Sequence, residues 1–198
     1  MPKVSESYRV ERREQILAAA GRCFSRRGFH VTSMDDVIAE AGLSAGAVYG
    51  YFRSKDELIL AAASRAMDLV GEVLPELART GSPAGLLERL LSLMVELSER
   101  FGFDPTRVAV QAWGESMRNP AVAAVVRDGY QAVRAHIAAA VPAWQQAGLV
   151  AADADPDEVA KVLFGLVPGY IVQRQLLGDV RPDGYAAALR AVTRDAAG

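Results

Sequence analysis

The chain has 198 residues, 51% of them hydrophobic, which suffices for one large domain or two modest ones with a buried core. Its net charge is −2, and residues 1–60 hold nine Lys or Arg against eight Asp or Glu, so any attraction to nucleic acid must come from local patches. A single cysteine, Cys23, excludes an internal disulfide. The N-terminus has no apolar signal segment, and no stretch approaches the roughly 18 apolar residues of a membrane span, so we expect a cytoplasmic protein.

Helical patterns account for the first third of the chain. One helix is predicted over residues 10–27, and two short helices fill residues 33–52. A long helix begins at Lys55 and is bent or ended by Pro75, because proline lacks the N–H that a helix interior needs. Cys23 falls on the apolar face of the first helix, which predicts a buried thiol rather than a reactive one.

After residue 80, four helix starts are marked by a capping residue followed at once by proline. Proline is favoured in the first turn of a helix, where its missing N–H costs nothing. The pairs are Ser82-Pro83, Asp104-Pro105, Asn119-Pro120 and Asp155-Pro156. The predicted helices cover residues 83–101, 105–118, 120–147 and 156–177, and a last helix begins near Pro182. Because no segment has the pattern of a strand, the predicted fold is all-α.

The segment from residue 32 to 58 has the layout of a helix-turn-helix. Gly42 can adopt the positive φ that ends the first short helix, and Ser44 is a suitable cap for the second. Val48 and Phe52 lie four residues apart, which anchors the second helix to a core. In a helix-turn-helix, this second helix enters the major groove of DNA.

Residues 9–69 closely resemble the N-terminal domain of the TetR family of bacterial transcriptional regulators, and the matching positions follow without a gap. They are Ile16, Ala19, Phe24, Gly28-Phe29, Thr32, Ile38, Ala41-Gly42-Leu43-Ser44, Gly46, Val48-Tyr49, Tyr51-Phe52, Ser54-Lys55 and Leu58. Further on, the run from Trp113-Gly114-Glu115 through Asn119-Pro120 to Tyr130 resembles the BetI-like branch of that family.

The resemblance implies a helix-turn-helix domain over residues 9–69, with its motif at about 32–52, and a larger helical ligand-binding and dimerisation domain over residues 70–198. The implied function is a DNA-binding transcriptional regulator, a homodimeric repressor that a small apolar or amphipathic ligand releases from a pseudo-palindromic operator. The alternative is a helical small-molecule-binding or catalytic protein whose N-terminal bundle no longer binds DNA. Because the sequence has no pattern of a catalytic triad, a phosphate-binding glycine loop or a metal site, we expect no enzyme activity, metal or cofactor.

Carried over position by position, the resemblance implies two kinds of DNA contact. Phosphate contacts fix the position of a protein on DNA, and contacts to base edges read the sequence. Thr32 or Ser33 is expected to cap the first motif helix, which offers its N–H groups to a phosphate, and Tyr49, Tyr51 and Lys55 are expected to contact phosphates. The residues expected nearest the base edges are Ala45, Gly46 and Ala47.

The recognition helix departs from the family pattern where the sequence of DNA is read. Position 45 is often polar or basic, position 47 is often Thr or Ser, and position 50 is usually bulky, but here they are Ala45, Ala47 and Gly50. No Arg, Asn or Gln is available for a bidentate base contact, so readout would depend on alanine methyl groups, tyrosine hydroxyls or a nearby arginine. The basic residues that could form a local patch are Lys3, Arg9, Arg12, Arg13, Arg22, Arg26, Arg27, Arg53 and Lys55.

Two apolar sets are predicted in the second part of the chain. Methionine and aromatic side chains can line an adaptable pocket between helices, although any one of them could equally be a core residue. The predicted ligand-binding residues are Met94, Phe101, Phe103, Trp113, Met117, Phe164 and Tyr170. An apolar stripe on the last two helices, next to small alanines, predicts a two-fold four-helix dimer interface. The predicted dimerisation residues are Val159, Leu163, Leu166, Tyr185, Leu189 and Val192.

Overall fold

The structure is a computed structural model, which describes residues 5–77 and 81–194. Within those ranges the protein is all-helical, as predicted, and no β-strand occurs. The helices are α1 (Glu6–Val31), α2 (Met34–Ala41), α3 (Ala45–Tyr49), α4 (Lys55–Leu77), α5 (Pro83–Phe101), α6 (Pro105–Ser116), α7 (Pro120–Gln146), α8 (Pro156–Leu176) and α9 (Pro182–Arg194). In the described part of the chain, no helix combines the length and apolar character needed to cross a membrane.

The cap-proline pairs mark the helix starts that they predicted. The hydroxyl of Ser82 accepts a hydrogen bond from the Gly85 N–H at 3.0 Å, and α5 begins at Pro83. The carboxylate of Asp104 accepts from the Thr106 N–H at 2.9 Å. The Asn119 and Asp155 side chains do the same for α7 and α8. Each cap satisfies an N–H that has no partner inside its helix, which is why these starts are encoded locally.

Prolines lie inside several of the described helices. α4 extends past Pro75 to Leu77, where the described residues stop, so the bend or end expected at Pro75 stays a prediction. α7 continues through Pro142 to Gln146, and α8 continues through Pro168.

The chain folds into two compact units, and the first contains residues 1–66 and 97–126. Its core is built around α1 and α4, with α2 and α3 packed on them and with α6 contributing Val108 and Ala112. A β-carbon at Gly21 of α1 would overlap the ring of Phe103, so the approach between these two residues requires glycine. The first unit therefore includes α6, which the division at residue 69 had assigned to the other domain.

The second unit contains residues 67–96 and 127–198. One core cluster surrounds Trp144 and includes Leu74, Leu86 and Ile137. A second cluster surrounds Tyr170 together with Leu87 and Leu91. The second unit thus buries two adjoining sets of apolar side chains from α4, α5, α7, α8 and α9.

Candidate nucleic-acid interface

The helix-turn-helix has the geometry that its sequence predicts. Gly42 ends α2 in the left-handed region at φ 65°, where a residue with a side chain would be strained. The hydroxyl of Ser44 then caps α3 by accepting a hydrogen bond from the Ala47 N–H at 3.2 Å. Val48 and Phe52 are buried in the core of the first unit. These contacts fix α3 on its inner side and leave its outer side available.

The outer side of α3 is formed by small residues and one tyrosine. Ala45 and Gly46 are exposed, Ala47 is half-buried, and Tyr49 is 45% exposed. Tyr51 is more enclosed, because its ring packs against the core of the first unit. The surface therefore allows close approach of a partner, with the Tyr49 ring projecting beside it.

Lys55 lies at the first position of α4 and is tied to the end of α1. Its ammonium group donates a hydrogen bond to the backbone carbonyl of His30 at 3.1 Å. An ammonium group has three N–H donors, so this bond holds the side chain in place and leaves donors for a phosphate.

Of the two residues proposed as the cap of α2, Thr32 is not the cap. It is 1% exposed, and its hydroxyl donates to the backbone carbonyl of Gly28 at 2.7 Å. Ser33 is the cap of α2 and accepts a hydrogen bond from the Asp36 N–H at 3.1 Å. Of the two, only Ser33 faces solvent, and the contact of this helix start with a phosphate stays a prediction.

A capping box at Ser33 and Asp36 occupies part of the helix terminus that was expected to receive a phosphate. The Asp36 carboxylate accepts from the Ser33 N–H at 2.8 Å and from its hydroxyl at 2.7 Å, and it also pairs with Arg27. These bonds lower the pKa of Asp36 to about 2, and the hydrogen bond from the Ser33 N–H is the largest cause. The spacing Ser-x-x-Asp is a known capping signal, which the sequence prediction overlooked.

Part of the predicted basic patch is neutralised between α1 and α2. Arg22 pairs with Glu40 at 2.6 Å, and Arg26 bonds the other oxygen of the same carboxylate. The two guanidinium groups lower the pKa of Glu40, with Arg22 the larger cause. Among the described residues, the cations that form no salt bridge near the motif include Arg9, Arg13, Arg53 and Lys55; Lys3 lies outside the described residues.

We expect the Tyr49→Phe substitution to weaken DNA binding without destabilising the fold. Tyr49 is 45% exposed, so removal of its hydroxyl should leave the stability of the fold unchanged. A lost hydrogen bond to a charged phosphate costs about 1.5–3 kcal/mol. Titration of labelled DNA and thermal unfolding should be measured on the same preparation. An equal loss of stability would show that Tyr49 is instead a structural residue.

The predicted ligand-binding residues do not form one group. Phe101 and Phe103 stack in the first unit with ring centroids 5.9 Å apart, and Trp113 lies on α6 of the same unit. Met117 is 85% exposed directly after α6, so its side chain lies at the surface, and its part in ligand binding stays a prediction.

The other predicted ligand residues belong to the second unit. Phe164 meets Tyr130 edge-on at 4.7 Å, and Met94 packs against the cluster around Tyr170. A separate open cleft of about 330 Å³ lies between α7 and α8, and none of its lining residues was predicted. They are Gln131, Arg134, Ala135, Asp157, Ala160 and Lys161.

Most of the predicted dimerisation residues are engaged inside the second unit. Leu163 is a core residue, and the side chains that pack against the two core clusters include Val159, Leu166, Tyr185 and Leu189. Much of the predicted stripe therefore packs within the monomer, and its part in a dimer interface stays a prediction. Val192 alone of the six is exposed, at 72%.

The chain matches two family models that together cover most of its length. The model described as bacterial regulatory proteins of the tetR family matches residues 16–62. The model described as the C-terminal domain of BetI-type transcriptional repressors matches residues 83–197. The second match covers more than half of the chain, and it agrees with the resemblance noted around Trp113.

Curated relatives and solved structures resemble the chain over nearly its whole length. The HTH-type transcriptional regulator UidR of Escherichia coli is 27% identical over 183 residues, which cover 91% of this chain and 90% of UidR. The structure of Salmonella enterica GusR has a TM-score of 0.74 and 27% identity, with 96% of each chain covered. A putative transcriptional regulator from Saccharomonospora viridis, solved in complex with choline, has a TM-score of 0.75 and 28% identity over 94% of this chain and 95% of that one.

Proposed function

Because the chain belongs to the TetR family of bacterial transcriptional regulators, with a BetI-type C-terminal domain, we propose that this DNA-binding regulator is a homodimeric repressor released from its operator by a small amphipathic molecule. The observation that carries its DNA-binding part is the outer side of α3. Its small exposed residues allow close approach to a groove, while Tyr49 and Lys55 stand beside it as hydrogen-bond donors to phosphate.

Exposed apolar side chains on α8 and α9 support the dimer. Val162 is 68% exposed and Leu176 is 77% exposed, and both lie on one face of α8 with Gly165 between them. Val192 on α9 is also exposed, at 72%. A second copy of the chain would cover this surface by two-fold symmetry, and the glycine would let the helices approach closely. This face is adjacent to the stripe predicted from sequence rather than identical to it.

The salt dependence of DNA binding tests the proposed role of Lys55. Each phosphate that a cation neutralises adds about −0.9 to the slope of log affinity against log salt concentration. We therefore expect Lys55→Ala to weaken binding to all DNA sequences alike and to flatten the slope by about one unit per protomer in contact. The measurement is a fluorescence titration of the chain's own upstream DNA at several salt concentrations.

The same titration separates this function from the alternative. Wild-type protein that fails to bind its upstream DNA at low salt would favour a helical small-molecule-binding protein whose N-terminal bundle has lost DNA binding. If Lys55→Ala changed the sequence preference and left the slope unchanged, the phosphate contact of Lys55 would be contradicted, but the DNA-binding function would not. Arg190→Ala on α9 in the second unit removes a cation far along the chain from the motif and should leave the slope unchanged.

The buried hydroxyl of Tyr170 supports an effector site in the second unit. Tyr170 is fully buried beside Leu87 and Leu91, and its ring meets that of Tyr185 edge-on at 5.4 Å. Among the described residues, none forms a hydrogen bond with this hydroxyl. A buried polar group without a partner is costly, so an effector with one polar group and an apolar body would suit this position. The choline complex of the Saccharomonospora viridis protein supports a small amphipathic ligand.

We expect Tyr170→Phe to stabilise the protein and to weaken effector binding. Removing an unpartnered buried hydroxyl should raise the free energy of unfolding by on the order of 1 kcal/mol. A thermal-shift screen of amphipathic compounds, with choline among them, would identify compounds that bind the wild type. Their affinity for Tyr170→Phe should fall about tenfold, which corresponds to one lost hydrogen bond. Equal affinity for both proteins would place the effector elsewhere in the second unit.

A further inference from the structure

α1 is broken at Gly28, five residues before α2 is capped. Gly28 has φ 86° and ψ 164°, which is outside the helical region. The break removes the ordinary helical partners of backbone groups on both sides of it. Two of these groups belong to Phe24 and Phe29, whose side chains are buried and pack edge-on at 4.8 Å. Water has little access there, so the backbone groups need partners from the protein.

The side-chain amide of Gln111, on α6, supplies both partners. Its oxygen accepts a hydrogen bond from the Phe29 N–H at 2.5 Å, and its nitrogen donates to the Phe24 carbonyl at 2.9 Å. A primary amide carries an acceptor and a donor on one rigid plane, so it can replace the two missing helical bonds at once. All three residues belong to the first unit, and Gln111 therefore joins α6 to the broken end of α1.

The segment that Gln111 holds leads directly to the candidate DNA contacts. The Gly28 carbonyl accepts from the Thr32 hydroxyl at 2.7 Å, and the His30 carbonyl accepts from Lys55 at 3.1 Å. Ser33 follows as the cap of α2. A displacement of residues 28–33 would thus move the start of α2 and the anchor of Lys55 together.

We propose that Gln111 is a positioning residue for operator binding, which holds residues 28–33 in place from α6. The proposal rests on the operator binding proposed above. Neighbouring contacts support it, because the His30 ring lies beside Glu115 of α6 and beside Arg118, two residues after that helix ends. The stretch 97–126, which includes α6, is continuous with the second unit at each end.

Two substitutions at Gln111 test the proposal. Gln111→Met has a similar length but forms neither hydrogen bond, whereas Gln111→Glu keeps the acceptor and loses the donor. We expect Gln111→Met to bind the upstream DNA about tenfold more weakly. Gln111→Glu should also bind this DNA more weakly, because it loses the hydrogen bond to the Phe24 carbonyl. Gln145→Met is the matched control, because the Gln145 amide also donates to backbone carbonyls but lies in the second unit.

Hydrogen exchange provides a readout that does not depend on DNA. In Gln111→Met, the amides of residues 28–33 should exchange about tenfold faster than in the wild type, while those of residues 10–20 in α1 stay protected. Unchanged exchange at residues 28–33 would overturn the proposal even if the protein bound no DNA. Faster exchange with full operator affinity would overturn it as well, since the segment would then not position the DNA contacts. If the wild-type protein itself did not bind DNA, the proposed function would be contradicted. The exchange result would still show whether Gln111 holds residues 28–33 in place.

Discussion

The Leu176→Glu substitution is expected to convert the protein into monomers and to lower its affinity for operator DNA by roughly 100-fold. Leu176 is among the most exposed large apolar residues of the second unit and lies on the α8 face that we assign to the second copy. A two-fold interface would contain the new carboxylate twice, so each substitution both removes apolar burial and adds like-charge repulsion. A monomer engages only one half-site, and the gain from linking two half-sites is typically 10²–10⁴.

Leu149→Glu is the matched control for this substitution. Leu149 is also an exposed leucine of the second unit, but it lies between α7 and α8 rather than on the proposed face. Light scattering and sedimentation should show a dimer for the wild type and for Leu149→Glu. An intact Leu176→Glu dimer would move the interface to another surface. Monomers that still bound the operator at full affinity would instead contradict the link between dimerisation and DNA binding.

Local signals explain what the sequence predicted well. A cap followed by proline acts within one turn, so the starts of α5 to α8 could be located without knowledge of the fold. The turn between α2 and α3 is equally local, since Gly42 and Ser44 each satisfy a requirement of their own helix. The family resemblance added the function, because neither composition nor net charge indicates DNA binding here.

Contacts between distant segments explain what the sequence did not predict. Gln111 appears in the sequence as an ordinary polar residue of a helix, and only the fold brings it to Phe24 and Phe29. The predicted dimerisation residues show the same limit. The strongest apolar stripe includes Leu163, which the monomer buries in its own core, whereas the face that we propose for the dimer carries the exposed Val162 and Leu176.

The second large effect is expected at the N-terminus of the recognition helix. Ala45 is exposed at the first position of α3, directly after the Ser44 cap. A glutamate at this position is compatible with the helix, because a negative charge near a helix N-terminus contributes about 0.3–1 kcal/mol of stability. On the proposed interface the same charge would face the phosphates and base edges of DNA. Folding and DNA binding should therefore respond to Ala45→Glu in opposite directions.

We expect Ala45→Glu to retain or slightly increase thermal stability and to lose operator affinity by roughly 100-fold. Like charges brought together at an interface cost several kcal/mol, and about 2.8 kcal/mol corresponds to that factor. Ala45→Gln has nearly the same size and no charge, so its affinity should fall far less. Thermal unfolding and DNA titration of the three proteins separate steric from electrostatic effects. If Ala45→Glu bound the operator as tightly as Ala45→Gln did, α3 would not approach DNA through its N-terminal turn, and the interface would have to be sought on another face of the first unit.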